Sequence, residues 1–188
     1  MNPAPNIRET CKISMAVLPI IIAPDPRLKA CCEPVEQVNG EIVKLMDDLL
    51  ASMYAARGIG LSAPQVGVLK RVIVVDTARR EEEPKPLAMA NPEVAWVSEE
   101  MVGLEEGCLS FPEHYAQVTR PARVGMRYLD RSNTIREIEA DGLLARCLFH
   151  EMDHLDGVLF VDHLSLLKRS MILRKLVKMK KLEEAGAV

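Results

Sequence analysis

Apolar residues recur at helical spacing after the turn-forming pair Asn39-Gly40. They lie three or four positions apart, at Ile42, Leu45, Met46, Leu49 and Met53. This period predicts an amphipathic helix over about residues 41–57, with Gly58 as its C-terminal cap.

Two further helices are predicted in the last quarter of the chain. The first opens at Asp141-Gly142, where helical spacing begins, and stops at Gly157. The second fills about residues 165–184. Four residues in or next to this last helix are expected to pack inward: Leu164, Leu167, Met171 and Leu176.

Between the first two helices, β-branched and alternating stretches predict strands. They lie at about residues 71–76, 94–98, 122–130 and 134–140, the last two forming a hairpin. Around Cys108, a flanking glycine and proline indicate a bent, exposed backbone rather than a packed strand. Strands grouped between helices, without βαβ alternation, predict an α+β fold. We expect antiparallel or mixed sheets packed around a central helix that carries a His-Glu-x-x-His motif, with a further helix at the C-terminus.

The composition is typical of one globular domain. Its 188 residues are 48% hydrophobic and 27% charged. We assign the domain to residues 15–188 and treat residues 1–14, which are polar and patternless, as an N-terminal extension. Aromatic residues are only 4%, which argues against a surface that stacks nucleic-acid bases, and no DNA partner is expected. The longest near-apolar run, residues 15–23, falls short of the roughly 20 residues of a membrane helix, so no membrane partner is expected.

The five cysteines are odd in number and scattered. A chain of this size needs no disulfide staples, so this pattern favours a reducing compartment, the cytoplasm. Any special cysteine is then a metal ligand or a nucleophile.

His150-Glu151-Met152-Asp153-His154 is the most specific motif in the sequence. Residues four apart share one face of a helix, so both imidazoles can point at one divalent metal ion while Glu151 flanks it. Two ligands do not complete such a site. A third histidine six residues beyond the second would indicate a zinc endopeptidase, but Phe160 stands there.

A cysteine is the better candidate for the third ligand. Cys147 is seven residues from His154, about 10 Å along a helix, and is read as a small core residue. Cys108, in the segment Glu-Gly-Cys-Leu-Ser, would complete a Cys/His/His site with a position open for water. Cys31 and Cys32 remain alternatives.

Three segments together are more specific than any one of them. Gly-Ile-Gly-Leu-Ser-Ala-Pro-Gln at residues 58–65, Glu-Gly-Cys-Leu-Ser at 106–110 and His-Glu-Met-Asp-His at 150–154 resemble the signature motifs of peptide deformylases. The resemblance covers the chain after residue 14 and favours the bacterial type that ends in a helix. It implies a hydrolase that removes the formyl group from the formyl-methionine of nascent polypeptides and releases formate.

The resemblance also implies roles for individual residues. Cys108, His150 and His154 would bind one divalent metal, typically Fe²⁺ in the family, with Zn²⁺ or Ni²⁺ able to replace it. Glu151 would be the general base, and the Leu109 N–H and the Gln65 side chain would stabilise the oxyanion. Five residues would line the substrate groove and the methionine pocket: Ile59, Gly60, Gly107, Leu143 and Cys147. The ribosome is a possible partner, through the C-terminal helix, because residues 165–188 carry seven basic side chains and two acidic ones.

At three positions the sequence departs from the family pattern. Ser62 replaces an alanine, Phe149 replaces a glutamine, and Arg146 occupies a usually apolar position that borders the methionine pocket. A buried guanidinium must be paired or reach solvent. These departures keep open a divergent amidase acting on another N-formyl or N-acyl substrate, and an inactive homologue that only binds.

Overall fold

The computed structural model describes residues 15–79, 82–184 and 186. The predicted extension, residues 1–14, lies outside the described residues. Three α-helices are present: α1 (Gly40–Ala55), α2 (Gly142–Leu155) and α3 (Leu166–Glu184). Seven strands accompany them: β1 (Gly60–Ser62), β2 (Val72–Val75), β3 (Leu87–Val97), β4 (Met101–Cys108), β5 (Phe111–Pro121), β6 (Arg123–Leu129) and β7 (Ile135–Asp141). The α+β prediction is confirmed.

The strands form two antiparallel sheets. The larger has the order β1-β2-β3-β6-β7, and the smaller is the β4–β5 hairpin. Among the described helices, none has the length and hydropathy that a membrane crossing requires.

The larger sheet is covered by a helix on each face. Successive residues of a strand point to opposite faces, and β2 is buried on both. Its Ile73 packs in the cluster that contains Leu148 of α2, whereas Val72 and Val74 pack with Leu49 of α1. Helix α2, which carries the His-Glu-x-x-His motif, therefore packs on this sheet, and its Arg146 side chain also contacts the hairpin.

A third apolar cluster anchors the hairpin to the C-terminal part of the chain. Phe111 and Val118 of β5 pack with Phe160 and with Leu176 of α3. The predicted inward face of α3 is wrong in part: Leu167 is 73% exposed and Met171 also faces solvent, while the buried side is formed by Ile172, Leu173, Leu176 and Met179.

The predicted end of α1 is displaced by one residue. Arg57, not Gly58, adopts the left-handed conformation (φ +56°) after the cap at Ala56. The Gly58 N–H binds the Met53 carbonyl at 2.9 Å, and the Arg57 N–H binds the Tyr54 carbonyl at 3.0 Å, which closes the helix as a Schellman motif.

Two predictions about strands also differ from the structure. The strand expected at 94–98 begins at Leu87, because a register shift at Asn91 (φ +46°) accommodates Pro92 within β3. The segment around Cys108 was expected to lie outside a strand, which is wrong: Cys108 is the last residue of β4, and a register shift at Gly107 leads into the turn before β5.

Candidate metal centre and its cavity

Helix α2 brings both imidazoles of the motif to one place. His150 and His154 are one helical turn apart, and they are 8% and 1% exposed. Their ring centroids are 5.1 Å apart. This spacing follows from the helix itself, as the sequence predicts.

Cys108 reaches the same place from the hairpin. Its Sγ lies 3.2 Å from His154 Nε2. One donor atom from each of Cys108, His150 and His154 lies within 4.8 Å of the other two. Cys31 is exposed, and Cys32 packs in the core, where its N–H binds the Leu155 carbonyl. Of the cysteines in the described part of the chain, only Cys108 joins the two histidines.

This donor set fits a divalent transition metal. Donors bound at about 2.0–2.3 Å around one tetrahedral ion lie roughly 3.3–3.7 Å apart, a range within the limit above. One thiol and two imidazoles suit iron, zinc or nickel and do not rank them.

A buried carboxylate orients the first histidine. His150 Nδ1 lies 3.1 Å from Glu106 Oε2, which leaves Nε2 for the ion. Arg120 donates to both oxygens of Glu106, at 2.6 and 2.9 Å, and to Asp153 at 2.9 Å. Burial alone would raise the pKa of Glu106, but the hydrogen bonds from Arg120 and His150 outweigh it and lower that pKa to about 2.

The pKa values of the two imidazoles are shifted in opposite directions. Burial disfavours the protonated form of His150, but its hydrogen bonds to Cys108 and Glu106 prevail and raise its pKa. For His154, burial and then the neighbouring His150 lower the pKa well below its ordinary value.

Glu151 lies on α2 between the two candidate metal ligands His150 and His154. It is buried, and its Oε2 finds no hydrogen-bond partner within the described residues. Burial raises the pKa of Glu151 to about 7. The backbone of Gly60 packs directly on this side chain: a Cβ there would overlap Glu151 Oε1 and lie 2.6 Å from Cys147 Sγ. Any other residue at this position would displace Glu151 or Cys147.

Gln65 is fixed by the residue that opens its turn. Its Oε1 accepts hydrogen bonds from the Ser62 N–H (2.9 Å) and the Ser62 hydroxyl (2.8 Å). The amide nitrogen therefore faces the site, where Nε2 donates to Ser110 Oγ at 3.1 Å and lies 3.5 Å from Cys108 Sγ. Ser62, one of the departures from the family pattern, thus adds a contact that an alanine would lack.

These groups open into a cavity of about 380 Å³. The residues assigned to substrate binding from the sequence all line it, namely Ile59, Gly60, Gly107, Leu143, Arg146 and Cys147, as do Gln65, Leu109 and Glu151. Ile59 and Leu143 are exposed at its mouth, whereas Cys147 is buried. Burial raises the pKa of the Cys147 thiol well above its ordinary value, so this side chain is a neutral wall.

Arg146 is paired rather than directed at solvent. It is 6% exposed, and its guanidinium binds Glu106 Oε1 at 2.7 Å and the carbonyls of Val118 and Val102 at 2.9 and 2.7 Å. The same side chain also lines a second cavity, of about 280 Å³. The other departure on this helix, Phe149, packs against the core.

Sequence reasoning missed the Glu106–Arg120 pair. One signal was available for Glu106: it lies two residues before the candidate ligand Cys108, close enough in the chain to face the same site. For Arg120 no local signal existed, because its partners lie 14 and 33 residues away.

A thiol and two imidazoles gathered at one point, beside a buried carboxylate on the same helix, define a metal-dependent hydrolase. The family model described as polypeptide deformylase matches residues 17–170. The chain belongs to the peptide deformylase family.

Peptide deformylases of other organisms are similar in sequence to this chain over most of its length. A peptide deformylase of Methylocella silvestris is 54% identical over 172 residues, covering 90% of this chain and 88% of the relative. One of Phenylobacterium zucineum is 54% identical over 164 residues, covering 87% and 97%.

Solved structures carry the same fold. The crystal structure of peptide deformylase from Ehrlichia chaffeensis has a TM-score of 0.85 at 40% identity, covering 89% of this chain and 99% of that one. A class I type b peptide deformylase from Acinetobacter baumannii, solved with Met-Ala-Ser bound, has a TM-score of 0.75 at 36% identity, covering 80% and 100%.

The chain is therefore a hydrolase that removes the N-formyl group from the formyl-methionine of nascent polypeptides and releases formate. The endopeptidase, divergent-amidase and inactive-homologue alternatives find no support among these relatives.

Proposed function

We propose that Cys108, His150 and His154 hold one divalent ion. The observation that carries this proposal is the approach of Cys108 Sγ to 3.2 Å from His154 Nε2, although the two residues come from separate elements. Ferrous iron is proposed as the native ion from the resemblance to peptide deformylases alone, because the donor set does not rank iron, zinc and nickel. When bound, such an ion acts as a Lewis acid that makes water a nucleophile at neutral pH.

Glu151 is the general base of the proposed reaction. Its carboxylate is next to the ligands, buried, and free of a hydrogen bond at Oε2 within the described residues. It takes a proton from the attacking water and later delivers it to the leaving amine of methionine. The resulting bond change is simple: water adds to the formyl carbon, and the C–N bond to methionine breaks.

Two donors stabilise the oxyanion of the tetrahedral intermediate. The Gln65 amide is held by Ser62 with Nε2 toward the cavity. The Leu109 backbone N–H, directly after Cys108, is the second donor. The Gln65 amide is held in place before substrate arrives, which is the condition for effective electrostatic catalysis.

The methionine side chain occupies the inner part of the cavity, against Cys147 and Arg146, with Leu143 at the mouth. Ile59, Gly60 and Gly107 border the groove that binds the peptide backbone. The Acinetobacter baumannii relative was solved with Met-Ala-Ser bound, and we infer that this chain takes a peptide of the same kind.

Substitutions of Glu151 and Cys108 test these roles separately. Glu151→Ala should keep one metal per chain but lose formate release from formyl-Met-Ala-Ser by about 10²-fold or more. Cys108→Ala should lose the metal. Cys31→Ala removes an exposed cysteine elsewhere and serves as the matched control, with metal and turnover unchanged.

Metal analysis of anaerobically purified protein and a formate assay distinguish the outcomes. A Glu151→Ala enzyme with undiminished turnover rules out the base assignment. Full metal content in Cys108→Ala removes this cysteine from the ligand set.

We further propose that the basic C-terminal helix contacts the ribosome. Residues 165–188 have a local charge of +5, and the exposed Lys168, Lys175 and Lys178 would face anionic RNA. Because Leu176 of the same helix is buried, charge reversal is a cleaner test than deletion.

The triple variant K168E/K175E/K178E should lose salt-sensitive cosedimentation with ribosomes while keeping activity on short peptides. Reversal of Lys44 and Lys85, which lie outside this helix, is the matched control. Unweakened ribosome binding by the triple variant contradicts the proposal.

Residues 15–188 form the single catalytic domain in this proposal, and the cytoplasm is its location. The support is the substrate, since formylated nascent chains are made there.

A further inference from the structure

The proposed ligands come from two separately built parts of the protein. His150 and His154 belong to α2, which packs on the five-stranded sheet, whereas Cys108 belongs to the β4–β5 hairpin. The two sheets share no strand pairing. The distance from the thiol to the imidazoles therefore depends on how the hairpin is docked on α2.

Apolar packing anchors the hairpin mainly against other elements. Phe111 and Val118 of β5 pack with Leu28, Phe160 and Leu176. None of these last three residues belongs to α2.

The hairpin is held against α2 largely by hydrogen bonds of polar side chains. Among these side chains, Arg146 makes the most extensive contacts with the hairpin. One nitrogen, Nη1, donates to Glu106 Oε1 (2.7 Å) and to the Val118 carbonyl of β5 (2.9 Å). The other, Nη2, donates to the Val102 carbonyl of β4 (2.7 Å). A single side chain of α2 thus binds both strands of the hairpin.

Arg146 is also aligned with the metal centre. It precedes His150 by four residues, so both lie on one face of α2, and both contact Glu106. Glu106 precedes Cys108 by two residues on the same strand, and both side chains face α2, where Glu106 contacts His150 and Cys108 contacts His154.

We propose that Arg146 is a positioning residue of the metal centre, which fastens the hairpin to α2 and thereby sets the place of Cys108 relative to the two imidazoles. This inference rests on the proposed Cys108/His150/His154 site. It differs from a role in the substrate pocket alone, which would leave metal binding unchanged.

The direction of the change in metal affinity distinguishes a positioning role of Arg146 from a purely electrostatic one. Removing a cation near a bound divalent ion would by itself strengthen metal binding. Loss of the fastening contacts would weaken it instead. Substitutions that disturb the residues orienting metal ligands typically cost 10–100-fold in affinity. Arg120 still joins Glu106 and Asp153 across the same boundary, so we expect the lower end, about 10-fold.

The test compares Arg146→Met, which keeps the length and loses all donors, with Arg146→Lys, which keeps one cationic donor group. Arg71→Met is the matched control, because Arg71 also binds an acidic residue at the end of α2, Asp156, but contacts no part of the hairpin among its assigned hydrogen bonds. Two quantities are measured: the Zn²⁺ dissociation constant by competition with a chromophoric chelator, and the thiolate-to-metal charge-transfer absorption of the Co²⁺-loaded protein.

Arg146→Met should bind Zn²⁺ about 10-fold more weakly and show a weakened or shifted charge-transfer band. Arg146→Lys should lie between it and the wild type, and Arg71→Met should match the wild type. Wild-type affinity and an unchanged band in Arg146→Met overturn the inference, whatever its thermal stability or KM. If Arg146→Met does not fold, wild-type affinity and an unchanged band in Arg146→Lys overturn it. Failure of the wild type to bind one Zn²⁺ per chain would instead refute the proposed ligand set.

Discussion

Replacing Gln65 by leucine removes one proposed oxyanion donor while keeping a side chain of similar size. Gln65 is 1% exposed, so its amide is held by protein contacts rather than by bulk solvent. Its orientation is fixed, because both contacts to Oε1 come from Ser62. Loss of one preorganised donor typically costs 10²–10³-fold in kcat, about 2.7–4 kcal/mol of transition-state stabilisation. We expect a loss in this range, with KM nearly unchanged.

A matched substitution distinguishes the donor from its support. Ser62→Ala keeps the Gln65 amide and its bond from the Ser62 backbone N–H, and removes only the hydroxyl contact. One such hydrogen bond is worth about 1 kcal/mol, which corresponds to roughly fivefold in rate. The order of activity should therefore be wild type, then Ser62→Ala, then Gln65→Leu.

Formate release from formyl-Met-Ala-Ser, measured on anaerobically purified protein of known metal content, gives kcat and KM. Thermal midpoints control for stability, because Gln65→Leu leaves buried polar groups of Ser62 unpaired at a cost of about 1–3 kcal/mol. A fully metallated, folded Gln65→Leu enzyme with kcat within threefold of wild type would refute the reasoning.

Two further predictions concern stability and pH. Arg120→Met leaves Glu106 buried with fewer hydrogen-bond partners, and breaking such a buried pair costs about 3–5 kcal/mol. The urea-unfolding free energy of the metal-free protein should therefore fall by about 3 kcal/mol. A loss below about 1 kcal/mol contradicts this expectation. Burial, and then the hydrogen bond to Asp76, raise the pKa of Tyr54 to about 12. Because folding favours the neutral phenol, its contribution is complete below the ordinary pKa of 10.0 and is lost as pH rises toward about 12. Titration at 295 nm should show a step near pH 12 that Tyr54→Phe lacks, and persistence of the step in that variant would disprove the assignment.

Helical periodicity made much of the fold predictable. The spacing of apolar residues located all three helices, and β-branched runs located β2, β6 and β7. The β4–β5 hairpin was missed because Gly107 and Pro112 indicated a bent, exposed backbone. In the structure, they lie at a register shift and near the start of β5, where a two-stranded sheet tolerates them.

In the candidate site, too, the local features were predictable from the sequence and the long-range contacts were not. The pair His150 and His154 follows from helix geometry, which is local. The approach of Cys108, 42 residues before His150, depends on the docking of the hairpin. Residue chemistry made Cys108 a candidate, and the family resemblance selected it over Cys31 and Cys32. The sequence predicts that a buried Arg146 needs a hydrogen-bond acceptor. It does not identify Glu106 as that acceptor.

The Arg146 side chain also borders two cavities. It lines both the catalytic cavity, about 380 Å³, and the neighbouring one, about 280 Å³. Truncating it to alanine would enlarge the space beside the catalytic cavity. An enzyme redesigned in this way should accept formylated N-terminal residues bulkier than methionine, provided that a second substitution restores the fastening that the arginine supplied.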